Sequence, residues 1–485
     1  MGQMLAVARV LGLMAMLMSA TYVIPIATSL IFADGVTSEF AFSMTANFLL
    51  GYLIWFATRR AKAELRPRDG FLLVSLAWAG GAGFATIPLL LALPGLSFTD
   101  AYFETMSGLT TTGATVLTGL DFLPQAINMW RHLLNWLGGM GIIVLAVAIL
   151  PMLGVGGMQV YKAETPGPVK DAKLTPRITE TAKSLWLVYF GITVACIVAL
   201  KLAGMDWFDA ICHAFAAMAL GGFSTYDASV GHFDSVAIEV VLIVFMLIAA
   251  MNFATHFLVW HERSFNPYRR DAEAKSMLGL VLGSCVGTGY YLWQAGTYDS
   301  FWTALRHASF NLVSIATDCG FVSVDYDKWP IFVPMWMLFL SCIAVSSGST
   351  GGGIKMIRTL IISRQAMREM LFLIHPNVVN PMKIGGAVIP NKVVLAVLGF
   401  IFVYFMTIVT TTFLLMASGL DFISALSGII ACINNAGPGL NKVGPATNFA
   451  SLSDFQTWVC SLAMFLGRIE VFSLLILFTP AFWRK

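Results

Sequence analysis

The chain has 485 residues, 58% of them hydrophobic and 11% charged, with a formal net charge of +3 and a mean hydropathy of +0.79. A soluble domain carries about 25% charged residues, so this chain has too little polar surface to stay in water. Its basic residues form no groove-facing tract, which argues against nucleic acid, and the lipid bilayer is the solvent that suits it.

The first apolar run, 3–32, lacks the basic start and small-residue cleavage site of a leader and predicts a retained membrane helix. Further runs of spanning length, ~20 residues, fall near 38–58, 70–94, 128–150, 184–204, 235–260, 276–296, 392–417 and 455–480, and a tenth at 331–372 is interrupted. Between them lie four shorter apolar runs, 99–112, 207–221, 302–318 and 421–435, too short to cross; these predict re-entrant helices. The seven cysteines and seven histidines form no C-x-x-C or H-x-x-x-H pair, so no redox or zinc motif is present, and packed or interfacial positions are expected.

Basic residues set the orientation. Arg59, Arg60, Lys62, Arg66 and Arg68 share one loop; Lys162, Lys170, Lys173, Arg177 and Lys183 a second; Arg263, Arg269, Arg270 and Lys275 a third. Lys355, Arg358, Arg364, Arg368, Lys383 and Lys392 follow, and Arg9, Arg484 and Lys485 flank the ends. With ten crossings and four returning helices, all lie on one side, which is predicted to be cytoplasmic together with both termini. The opposite loops are acidic (Asp100, Glu104, Asp121; Asp206, Asp209, Asp227, Asp234; Asp325, Asp327), as suits an outer vestibule that concentrates cations.

The four short segments are internal repeats. Aligned on Gly113, Gly222, Gly320 and Gly437, each has an alanine twelve residues earlier (Ala101, Ala210, Ala308, Ala425) and a small residue six earlier (Ser107, Ala216, Ser314, Ala431). Each lies between two full-length apolar helices. The predicted fold class is an all-α membrane protein of four helix–pore-helix–helix repeats, arranged in pseudo-fourfold fashion about a central pore and preceded by a helix pair. The predicted division is 1–66 for the pair, then repeats at 67–160, 161–265, 266–380 and 381–485. Four glycine-bearing loops meeting on an axis could offer a ring of backbone carbonyls to a dehydrated monovalent cation. The alternative, glycines that merely let helices pack closely, does not explain four loops in register.

On TTTGAT (110–115), LGGFST (220–225), ATDCGF (316–321), NNAGPG (434–439) and SSGSTGGGIK (346–355), the chain resembles the bacterial potassium-uptake proteins of the Trk/Ktr/HKT superfamily over essentially its whole length. The resemblance implies potassium uptake across the bacterial inner membrane, with K+ held by main-chain oxygens just before each glycine. Carried over by position, these belong to Thr111, Thr112, Leu220, Gly221, Asp318, Cys319, Asn435 and Ala436. Unlike TVGYG filters, the repeats share one glycine position, so a short filter that also passes rubidium is expected. The Asp318 carboxylate is expected to brace the loop or face the vestibule. The resemblance further implies a homodimer with a pore in each subunit and a soluble TrkA-type nucleotide-binding subunit, for which the basic loops 151–183 and 261–275 are candidate docking sites. No organic cofactor is expected.

Gly348, Gly351, Gly352 and Gly353, followed by Lys355, interrupt the second helix of repeat three. Glycine costs about 1 kcal/mol per residue in a helix, so a loop beneath the filter is predicted, and it reads as a gate. A phosphate-binding loop does not fit, because Ile354 stands where its lysine belongs. Arg468, inside the last span, is costly in a membrane and so a functional candidate, an electrostatic barrier or a hydrogen-bond partner of the loop; Glu470 is a poor partner within the same helix. Spans otherwise poor in ionisable residues favour passive flow over coupling to H+ or Na+. An intramembrane enzyme built on Ser347 or Ser349 lacks an activating base and leaves the repeats unexplained.

Overall fold

The computed structural model describes residues 2–60, 67–144 and 178–484. Within them the ten predicted long elements and four short helices follow one another in the predicted order. Lys62, Arg66, Lys162, Lys170, Lys173, Arg177 and Lys485 lie outside the described residues, as do the stretch 145–150 of the fourth span and most of the candidate docking loop 151–183.

The N-terminal pair is helix Gly2–Thr21 continued by Val23–Phe32, packed against Thr37–Thr58. The pair crosses at two glycines. A Cβ on Gly12 would lie 2.8 Å from Gly51 O, and a Cβ on Gly51 2.8 Å from Gly12 O, so side chains at either would push the backbones apart. The run 3–32 is one span, as expected, with a single-residue interruption of its helical bonding at Tyr22, because Pro25 has no N–H to donate back to Thr21. The buried Tyr22 ring packs 4.4 Å from Trp130, and its hydroxyl donates to Phe84 O at 3.0 Å, which docks the pair on repeat one.

Each repeat is a long helix, a short re-entrant helix and a second long helix. In repeat one these are Pro67–Ala85 with Ile87–Ala92, then Phe98–Leu109, then Gln125–Val144; in repeat two, Ile178–Leu202, Trp207–Ala219 and Val236–Ala249 with Phe253–Glu262. Repeat three has Ala272–Gln294, Phe301–Ala316 and the separated pair Phe332–Ile343 and Met356–Ile374; repeat four has Asn391–Ala417, Phe422–Asn434 and Asp454–Arg468 with Val471–Leu475. The re-entrant helices start at side-chain N-caps: Ser97, Asp206, Ser300 and Asp421 accept from backbone N–H groups of the first turn. Lys383–Ile384 pairs with Ala387–Val388 across Gly385 and Gly386, both at positive φ, as a two-residue hairpin requires.

Two runs read as continuous spans are broken. Val236–Ala249 and Phe253–Glu262 meet at 93°, and Asp454–Arg468 and Val471–Phe478 at 110°. At the first break Asn252 caps the new helix, accepting from Ala254 N at 2.8 Å. The backbone groups freed there bond the glycine-rich loop instead: Ser346 N donates to Ala250 O, and Phe253 N to Gly348 O, both at 3.0 Å. At the second break Glu470 takes φ 63°. Five described helices are alone long and apolar enough to cross a membrane, and the two bent pairs qualify when each is taken together. Leu17, Leu30, Leu187, Leu202, Leu395 and Phe402 stand exposed along the long helices, a surface that hydrocarbon rather than water solvates.

Candidate functional site

All four re-entrant helices end with the same backbone geometry. The N–H of the residue before the glycine bonds the carbonyl five residues back: Thr112 to Ser107, Gly221 to Ala216, Cys319 to Ser314 and Ala436 to Ala431, each at 2.8 Å. The preceding N–H bonds three back: Thr111 to Gly108, Leu220 to Ala217, Asp318 to Ile315 and Asn435 to Cys432, at 3.0–3.2 Å. These two bonds form a Schellman C-cap. The small residues six before each glycine are thus the carbonyls that receive the turn.

That cap needs a left-handed residue, usually glycine. Here Thr111, Leu220, Asp318 and Asn435 adopt it, at φ 55°, 54°, 63° and 59°. Each costs ~1–3 kcal/mol and persists only where the surroundings over-determine it. The aligned glycines, also at positive φ, come two residues later.

These glycines close a ring. A Cβ on Gly113 would lie 2.2 Å from Gly221 O, on Gly222 2.0 Å from Cys319 O, on Gly320 2.5 Å from Ala436 O, and on Gly437 2.8 Å from Thr112 O. Each glycine is therefore pressed against the carbonyl of the residue before the next repeat's glycine, one to two, two to three, three to four and four to one. Thr111, Thr112, Leu220, Gly221, Asp318, Cys319, Asn435 and Ala436 are all buried around it. On one side the ring opens into a cavity bordered by all four glycines.

On the other side lies the loop 344–355. Its chain passes close under the turns, since a Cβ on Gly352 would lie 1.9 Å from Asn434 O. Asp318 turns its carboxylate to this loop and accepts from Gly352 N at 3.1 Å, which is the bracing alternative and not the vestibule. Thr350 donates through its hydroxyl to Met218 O at 3.0 Å. Arg468, 2% exposed, donates to Thr350 O at 2.8 Å and to Gly138 O at 2.9 Å, binding the loop to repeat one. Lys355 takes φ 75° and donates to Gly351 O, so its ammonium is engaged within the loop. Gly348 and Gly353 adopt φ 73° and 69°, and a Cβ on Gly351 would strike Val345 at 2.6 Å.

Two sequence expectations need correction. Glu104 and Asp209 are not vestibule charges: Glu104 is buried against Arg131 at 2.8 Å, and Asp209 is buried, accepting from Thr225 and Tyr226 hydroxyls at 2.7 and 2.8 Å. Nor are the spans poor in ionisable groups apart from Arg468. Arg131, Glu273 and Arg358 are also buried, made tolerable by partners on other elements. Arg358 pairs with Glu470 at 3.0 Å, and Glu273 accepts from Ser347 N and Ile357 N, at both ends of the glycine-rich loop. Sequence reasoning missed Arg131 although its signal, an arginine in an apolar run, is the one that singled out Arg468.

Fold and site together define a multi-pass, all-α membrane transport protein whose four repeats turn their glycines toward one central axis. Residues 37–285 and 300–485 match the family model TrkH, described as a cation transport protein. The chain is 47% identical over 478 residues, 98% of either sequence, to the Trk system potassium uptake protein TrkH of Halomonas elongata, and 46% identical over 481 residues, 99% of each, to that of Salmonella typhimurium. The solved potassium transporter TrkH of Vibrio parahaemolyticus superimposes with a TM-score of 0.92 at 44% identity, covering 99% of this chain and 100% of that one. The chain belongs to the TrkH family of cation transport proteins and is a transporter, not an enzyme.

Proposed function

We propose that this protein takes up potassium across the bacterial inner membrane through a filter of backbone carbonyls. The carrying observation is the closed ring of four glycines against four carbonyls. A dehydrated cation needs oxygen ligands from several directions, and main-chain carbonyls supply them without a net charge that would trap it. Thr111, Thr112, Leu220, Gly221, Asp318, Cys319, Asn435 and Ala436 supply these oxygens, and Gly113, Gly222, Gly320 and Gly437 allow the close approach. The names of the relatives favour potassium over other cations.

The loop bearing Gly348, Gly351, Gly352 and Gly353 is the gate; Arg468 holds it closed beneath the filter by tying it to repeat one, and Lys355 shapes it by bonding within the loop. The proposed division is a helix pair at 1–66 and four repeats at 67–160, 161–265, 266–380 and 381–485, and the order of long and short helices supports it. Both termini face the cytoplasm, on the side of the basic loops. Relatives named as parts of a Trk system favour a complex with other components; the family resemblance is what suggests a second copy of this chain and a soluble TrkA-type nucleotide-binding subunit docked on loops 151–183 and 261–275.

Purified protein in liposomes, with or without that subunit, is expected to take up radiotracer rubidium, with potassium competing well and sodium poorly. No uptake under either condition would overturn the assignment.

A further inference from the structure

One buried ion pair bridges two neighbouring glycine-bearing turns from behind. Arg131, 1% exposed on helix Gln125–Val144, donates from Nε to Glu104 Oε1 at 2.8 Å and from Nη1 to Ser224 O at 3.1 Å, two residues past Gly222. Its Nη2 reaches Thr115 Oγ1 at 3.4 Å, and its planar face lies 4.2 Å from the centre of the Phe223 ring. Glu104 in turn accepts from Thr115 Oγ1 at 2.9 Å and from Val116 N at 3.1 Å. One guanidinium and one carboxylate therefore tie the chain just after Gly113 to the chain just after Gly222.

The same helix makes further contacts with turn two. His132 places Nε2 3.0 Å from Phe223 O. Asn135 fills the space behind Gly221, where a Cβ would lie 2.5 Å from its Nδ2. Elsewhere round the ring, adjacent repeats are joined through neutral donors: Gly231 N to Val322 O at 3.0 Å, Asn441 N to Asp327 Oδ2 at 2.9 Å, Phe449 N to Thr115 O at 2.9 Å and, between turns four and one, the Asn435 amide Nδ2 to Thr112 Oγ1 at 2.9 Å. Among the described residues the junction of turns one and two is the one braced by a fully buried ion pair.

We infer that Arg131 and Glu104 are positioning residues for ion selectivity: they fix the spacing between turns one and two and so set how tightly the ring fits the ion. This rests on the filter reading above. The guanidinium suits the task because it is planar, permanently charged and bonds in several directions at once. An ammonium keeps the charge but cannot span both turns. The pair is neutral overall, so it braces the cavity wall without repelling the cation.

The test compares potassium and sodium permeability in liposomes containing full-length wild type, Arg131→Lys, Glu104→Gln and, as control, Arg306→Lys. The control alters an ion pair with Glu239 and Asp234 that bonds no glycine-bearing turn. Arg131→Lys is expected to conduct while its potassium-to-sodium ratio falls roughly tenfold, as for the loss of one charge-assisted hydrogen bond. Glu104→Gln should shift the ratio in the same direction and Arg306→Lys should leave it unchanged. A wild-type ratio in well-folded Arg131→Lys and Glu104→Gln overturns the inference. If Arg131→Lys is not recovered as a monodisperse protein, Glu104→Gln, which keeps the shape and the bonds from Val116 and Thr115, decides alone. A wild type that does not separate potassium from sodium sinks the filter reading itself, whereas a selective wild type with equally selective variants sinks only the brace.

Discussion

Gly222→Ala is expected to abolish potassium-selective uptake. The new methyl carbon would lie 2.0 Å from Cys319 O, and the carbonyl and the backbone behind it must move aside. Alanine is also strained at φ 60°, by ~1–3 kcal/mol. Ring closure makes the other glycines comparable and ranks them. Approach distances of 2.2 Å at Gly113, 2.5 Å at Gly320 and 2.8 Å at Gly437 predict falling severity in that order, with Gly437→Ala mildest. Rubidium uptake with potassium and sodium as competitors, measured for the four alanine variants side by side, checks both the loss and the order. Wild-type selectivity in a well-folded Gly222→Ala protein would mean that ions do not pass through this ring.

Removing the restraint beneath the ring should have the opposite sign. Arg468 joins Thr350 O in the loop to Gly138 O in repeat one, two charge-assisted bonds in a buried setting. Bonds to charged groups contribute ~1.5–3 kcal/mol each, and about 1.4 kcal/mol is a tenfold change in an equilibrium. If these bonds belong to the closed arrangement, Arg468→Ala raises basal rubidium flux roughly tenfold or more. Arg468→Lys, which reaches one carbonyl at a time, should fall between. Deleting 348–353 should raise flux further, because the backbone that fills the space under Asn434 and Asp318 is gone. Flux unchanged in a well-folded Arg468→Ala protein would reduce Arg468 to a packing role, and unchanged or lower flux in the deletion would refute the gate.

Much of this protein was legible in its sequence because the information is local. The length of an apolar run sets whether a helix can cross, and ten long and four short runs became ten long elements and four re-entrant helices. The small residues six before each glycine, Ser107, Ala216, Ser314 and Ala431, were legible as part of the repeat, and the structure shows that their carbonyls receive the Schellman bond within each hairpin. The glycines themselves were visible as a repeat. What only the tertiary structure decided involves residues far apart along the chain. The helix ending at Ala249 stops because the loop after Val345 takes up its freed backbone groups. Glu104 is not a vestibule charge because Arg131 meets it, and Arg131 in turn reaches Ser224, 93 positions away. Arg468 finds Thr350 at a separation of 118. Periodicity and spacing record how a segment satisfies its own backbone; which buried charge meets which carbonyl depends on where the repeats close on one another, and no window of sequence contains both partners.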